Sequence, residues 1–242
     1  GTPHQLVRNE RQSVNDRFPQ TLSETGLFAS VEQQIPAPGV VPYSISAEPW
    51  LDGAVADRFV ALPGSSSLGI HEESNAQIGF LRGHWKYPAD SVLVKTISLE
   101  MRVGDPSSRR KLETQLLHYD VDTWRAYSYG WNDAQTDAVL ASGEGAERQF
   151  TIAGPSVPGG NRDQTWYFAS RTECLHCHST RGGSVYGFTP EQLDRSHQYG
   201  TTRAPQLATL QDWGIFEQVA DTKRERFVDP YDPSAPLAER AR

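Results

Sequence analysis

The stretch "RTECLHCHST", Arg171 to Thr180, holds both cysteines of the 242-residue chain, Cys174 and Cys177, with His178 directly after the second. Two thiols three positions apart close too small a loop to stabilise a fold as a disulfide, so the pair points to chemistry. Three chemistries use such a pair. A structural zinc ion takes four ligands, but no second C-x-x-C exists, and His176 and His178 are too close in sequence to complete the tetrahedron comfortably. A thioredoxin-like dithiol expects a strand before the motif and a helix starting in it. Here "TWYFAS" supplies the strand, whereas "HSTRGG" is a poor helix start. Covalent haem attachment needs two thiols for the two vinyl groups and an imidazole beside them for the iron, and C-x-x-C-H supplies all three. The sequence therefore predicts one haem c on Cys174 and Cys177 with His178 as axial ligand, and leaves the dithiol and the zinc site as alternatives.

Bulk properties narrow the partners. The net charge is −7, which argues against a nucleic-acid or anionic-membrane partner, since both need a basic surface, and favours a basic docking partner. No apolar run approaches the roughly 20 residues that span a bilayer. Residues 1–21 read as an unpaired polar N-terminal arm with no signal peptide, so an export signal is expected to have been removed or to lie upstream. Attachment of haem to reduced thiols takes place outside the bacterial cytoplasm, so the motif implies an exported protein, periplasmic or at the cell surface.

The elements that must position the motif are mostly strands. "QQIPAPGVVPYSISAEPWLDG" (Gln33 to Gly53) reads as an extended wrapping segment, because its prolines block helix and central-strand pairing. "DRFVALPG" is a short strand. "SVLVKTISLEMRV" (Ser91 to Val103) is the strongest strand signal, rich in β-branched residues and bounded by turns. "RKLETQLLHY" and "TWRAYSYGW" form a hairpin around "DVD", and "ERQFTIAG" and "QTWYFAS" give two more strands. After the motif the period changes. "TPEQLDRSH" has Thr189 as N-cap, Pro190 at the first helical position and Gln192 at the third, a capping-box arrangement. "APQLATLQDWGIF" places Leu207, Leu210 and Trp213 or Gly214 on one helical face. The fold expected is mainly β (α+β): an antiparallel mono-haem domain over 22–220 with peripheral short helices, the haem attached after the last strand. Residues 221–242 read as a C-terminal linker leading to a further module.

A haem iron leaves a second axial position to be decided, and its occupant separates an electron carrier from a ligand-binding site. Met101, the only methionine, closes the alternation Leu93, Lys95, Ile97, Leu99, Met101 on one strand face, where a core role competes with ligation. His118 shares a predicted face with Leu112, Thr114 and Leu116, and His197 follows the post-motif helix; each is a candidate sixth ligand. His176 is expected to point to solvent. Lys95 stands out, because an ammonium on an apolar strand face must snorkel, find an acid or have a chemical task. Arg171 and Arg181 flank the motif and could pair with haem propionates. The dense aromatics Trp166, Tyr167, Phe168, Tyr186 and Phe188 are expected on the porphyrin or in the core.

Several ordered stretches carry a resemblance: "LSETGLFAS", "APGVVPYSISAEPWLDGAVADRFVALPG", "YPADSVLVKTISLEM", "YSYGWNDAQTDAVL", "QTWYFASRTECLHCHS" and "FTPEQLDR". Together, from about Leu22 to the end, they resemble a family of bacterial di-haem c-type cytochromes. In that family a second attachment motif follows a "DP…DP…PL…RAR" segment, so the chain would be the first haem module, with electron transfer as the implied function and a second haem module or a redox protein as partner. The core from Tyr87 to Phe188 is also similar to the β-sheet mono-haem group of cytochrome c′-beta and the lysine-cross-linked hydroxylamine-oxidising cytochromes. "PADSVLVK" matches their P-x-G-x-x-x-x-K strand, with Asp90 where glycine is usual, and "YGFT" (Tyr186 to Thr189) matches the segment after their C-x-x-C-H. That likeness puts Lys95 at the position that bonds to the porphyrin in cross-linked members. It implies as an alternative function a five-coordinate haem that binds NO or CO or oxidises a small nitrogen substrate.

Overall fold

In a computed structural model the chain is described over residues 18–71, 85–178, 185–218 and 226–241. The strands are β1 (Phe28–Ser30), β2 (Ile35–Pro36), β3 (Val40–Tyr43), β4 (Val55–Ala61), β5 (Gly69–Ile70), β6 (Trp85–Lys86), β7 (Val92–Glu100), β8 (Arg109–Asp120), β9 (Thr123–Trp131), β10 (Ala138–Leu140), β11 (Ala146–Ala153), β12 (Asn161–Phe168), β13 (Ser196–Tyr199) and β14 (Thr202–Pro205). Among the described residues four short α-helices accompany them: α1 (Arg171–Cys177), α2 (Pro190–Leu193), α3 (Gln206–Asp212) and α4 (Leu237–Arg240).

The central sheet has six strands in the order β10-β9-β8-β7-β4-β3, antiparallel at every pairing. Its middle is the β7–β8–β9 meander, whose β-branched and aromatic residues suit a pleated, buried surface. Both faces are covered. On one, Val94, Leu116, Phe59, Tyr127 and Trp131 pack under the N-terminal segment through Leu22, Leu27, Phe28 and Val31. On the other, two separate clusters form. Val60 and Leu93 pack with Tyr43, Phe188, Leu193 and Leu210, which come mostly from the chain after the motif. Ile97, Leu99 and Leu112 pack with Ile152, Trp166 and Phe168 of the β11–β12 hairpin.

The fold is thus mainly β and antiparallel with a few short helices, as the strand signals predict. Several particulars differ. The motif does not follow the last strand: β13 and β14 form a further hairpin after it, turning at Gly200, which has φ +58°. The helix predicted from Thr189 runs only to Leu193, and Thr189 makes no side-chain cap; the Gln192 side chain instead accepts from the Ala47 N–H at 2.8 Å. Trp213 lies beyond α3 and is 51% exposed, whereas Leu207 and Leu210 are buried as predicted. The wrapping segment contributes edge strand β3, where Pro42 is tolerated because one side of an edge strand needs no donors. The end of the N-terminal arm is paired, with Leu22 N–H to Ala138 O and Leu140 N–H to Gln20 O, and Phe18 stacks on Tyr127 at 3.5 Å.

Phe188 is fully buried and meets Tyr43 edge-on at 4.7 Å, so its work is packing. Phe188→Ala should lower unfolding free energy by about 3–5 kcal/mol in urea titrations, as expected for an aromatic removed from a closed core.

Candidate functional site

The register places three rows side by side on the face that carries the two clusters. Val60, Leu93, Leu117 and Ala126 form one row and Ala56, Ile97, Glu113 and Gly130 another. Between them Arg58, Lys95, Gln115 and Ser128 stand directly opposite one another across β4, β7, β8 and β9. This polar row lies where the two apolar covers part. All four residues line a cleft of about 310 Å³, together with Cys174, His178, Tyr43, Ile45, Val185 and Tyr186. The volume and the mostly apolar wall with a few convergent polar groups are those of a small-molecule or cofactor site.

Cys174 and His178 reach the cleft because of how α1 begins. Ser170 is its N-cap: the hydroxyl accepts from Glu173 N–H at 3.2 Å, and Glu173 Oε2 accepts from Ser170 N–H at 2.8 Å. Tyr167 donates its hydroxyl to the same carboxylate at 2.7 Å, and these hydrogen bonds, Tyr167's first, hold the Glu173 carboxyl below its ordinary range. The loop before β11 passes close enough that a Cβ on Gly145, at φ +88°, would sit 2.8 Å from the Phe168 carbonyl oxygen. Only glycine serves there. The capping box S-x-x-E is visible in "SRTE" of the sequence, and it starts the helix ahead of the motif, not within it. Cys174 therefore falls in the middle of the helix, Cys177 at its last residue and His178 at its C-cap.

That placement bears on the three chemistries. A reactive dithiol has its nucleophile at a helix N-terminus with a depressed pKa. Here burial, aided by the negative charge of Glu113, pushes the Cys174 thiol up. The zinc alternative finds no four-donor shell: among the described residues no group of three or more His, Cys, Asp or Glu could hold a metal ion. A covalently held haem needs the two sulfurs, one imidazole and an apolar cleft. The donor set fits, since both cysteines are free, Cys174 and His178 line the cleft, and Cys177 is exposed beside them. Tyr186 closes this end, donating its hydroxyl to Cys177 O at 2.7 Å with its ring 5.7 Å from that of His178.

The opposite wall is stitched on from the chain after the motif. Gln206, fully buried, accepts from Ser44 N–H at 2.8 Å and donates to Ser44 O and Leu193 O. Gln192 grips both backbone groups of Ala47. Arg58 is held by Glu48 through two bonds of 2.7 Å.

The remaining candidates divide. Lys95 lines the cleft, on the face shared with Leu93 and Ile97 as the alternation predicts. Asp90, five residues earlier, has φ +67°, the left-handed region that favours glycine and that aspartate tolerates. Met101 lies past the end of β7, beyond a bulge between Ile97 and Ser98, and packs against the Ile97–Trp166 cluster. His118 alternates to the far face, beside Phe18, with Asp90 3.1 Å from its Nε2. His197 stands on β13 with Nδ1 3.0 Å from Ser44 Oγ, behind the cleft wall. None of these three appears in the cleft lining, nor does Arg171, whose guanidinium covers the Tyr127 ring at 4.9 Å, nor Phe188. Arg181 lies outside the described residues. The sequence reading missed Glu113, Arg58 and the two glutamines; period two places Glu113 and Gln115 on one face, but nothing local says that the face is covered.

Burial and the neighbouring Arg58 charge push the Lys95 amine down to about 8, against Glu113 and Glu48, which pull it back. The unfolded chain keeps that proton to about pH 10.4, so between about pH 8 and 10.4 it binds more protons than the folded state, and stability rises with pH. Below pH 8 the buried ammonium is a burden. Lys95→Met should therefore be the more stable protein at pH 7, with the gap to wild type narrowing through that window in urea titrations.

No protein-family model, no curated protein and no solved structure matches the chain.

Proposed function

We propose that this chain is a c-type cytochrome module that carries one haem c on Cys174 and Cys177, with His178 as an axial ligand, and transfers electrons outside the bacterial cytoplasm. The observation that carries the reading is that Cys174 and His178 line one largely apolar cleft in the only C-x-x-C-H of the chain. The resemblance to the di-haem family supports it and gives the partner as a second haem module or a redox protein. Among the described residues no helix is long and apolar enough to cross a membrane. When bound, the group supplies a one-electron redox centre. The chain would hold it by the two sulfurs and the imidazole, while Tyr43, Ile45, Leu93 and Val185 exclude water and Tyr186 fixes the backbone at Cys177.

One observation favours a second reading, an open haem that binds NO or CO or oxidises a small nitrogen compound. Among the described residues the lining offers neither a second imidazole nor a thioether, and Lys95 stands in it as the c′-beta resemblance implies.

Expression with a haem-attachment apparatus in an oxidising compartment should give a coloured protein heavier than its polypeptide by one haem. Changing Cys174 and Cys177 together to serine should abolish the covalent mass, and His178→Ala should keep the mass but alter the spectrum. A colourless product of bare polypeptide mass would refute the proposal. Carbon monoxide separates the two uses: an unchanged reduced spectrum supports the carrier, a shifted one the open site.

A further inference from the structure

Glu113 is a carboxylate with 1% of its surface exposed, on the central strand of the sheet. Such a group is tolerated only with its oxygens satisfied, and here they are. Trp166 Nε1–H donates to Oε2 at 2.9 Å, while Ser128 Oγ at 2.6 Å and Gln115 Nε2 at 3.0 Å donate to Oε1. Two of these donors, Gln115 and Ser128, belong to the polar row that lines the cleft. Lys95 stands directly opposite Gln115, so Glu113 is its diagonal neighbour on the same sheet face, within reach of a long side chain. Lys95 itself has no hydrogen-bond or ion-pair partner within direct contact among the described residues, and Arg58, the cation opposite it, is taken up by Glu48.

We propose that Glu113 is a positioning residue of the cleft: a buried carboxylate, oriented by Trp166, Ser128 and Gln115, that retains the Lys95 ammonium over the sheet floor. The inference concerns the same cleft and rests on the proposed reading only for its purpose there, the presentation of an amine to one cofactor. The groups that bear on Lys95 are Arg58 from β4, Glu48 from the segment before it and Glu113 from β8; Cys174 and His178 from α1 and Tyr43 from β3 share its cleft.

The test uses the full chain produced without haem, so that it does not depend on attachment. Lys95 is titrated by competitive acetylation with acetic anhydride, read by peptide mass spectrometry across pH. Glu113→Gln should move its midpoint toward acid, by about one pH unit for an opposite charge lost at close range. A variant that merely loosened the site would move Lys95 the other way, toward an ordinary lysine, so the direction separates a charge effect from a packing one. An unmoved or raised Lys95 midpoint would overturn the proposal. A colourless matured protein would leave these titrations intact, and unmoved titrations would leave the haem reading intact.

Discussion

A single polar row laid across a covered sheet face governs this structure. Arg58, Lys95, Gln115 and Ser128 cannot be buried under aliphatic side chains without leaving charges and dipoles unpaired. The covers therefore part over them. The chain after the motif seals the row of Leu93 and Leu117, and the β11–β12 hairpin seals the end at Ile97 and Leu112. What lies between is a cleft with a polar floor and apolar walls, and α1 lies along it with Cys174 turned inward.

Glu48 holds Arg58 in a bidentate pair, and Glu113 faces the row from the next register with three donors on its carboxylate. Lys95 is the member with the least direct support, which is why burial lowers its basicity. An amine of lowered basicity in an apolar cleft is chemically available in a way that a surface lysine is not.

The walls owe their position to backbone contacts made by side-chain amides. Gln206 and Gln192 tie Ser44 and Ala47 to the segment after the motif, and Arg195 donates to Ile45 O. Residues more than 140 positions apart are thereby joined on either side of one opening. The segment after the motif is consequently part of the site, although its own sequence carries no chemistry.

The motif Cys174, Cys177, His178, the meander from Val92 to Trp131 and the apolar-face setting of Lys95 were legible in the sequence, because each rests on local spacing or on period two. The capping box at Ser170 was also there to be read, and overlooking it put the helix start on the wrong side of the cysteines. Other features could not be seen locally. Met101 keeps the face that alternation assigns it but packs against the Ile97–Trp166 cluster under the β11–β12 hairpin, outside the cleft, and His118 proves to stand on the far side of the sheet. Glu113 reads as an ordinary strand carboxylate until Trp166, 53 residues away, is placed over it. The sequence by itself determined which atoms can do chemistry, since side-chain type and spacing are properties of the chain. Only the tertiary structure decided which of them share a cleft and which are buried, because strand register and the covering of each face depend on contacts between segments far apart along the chain.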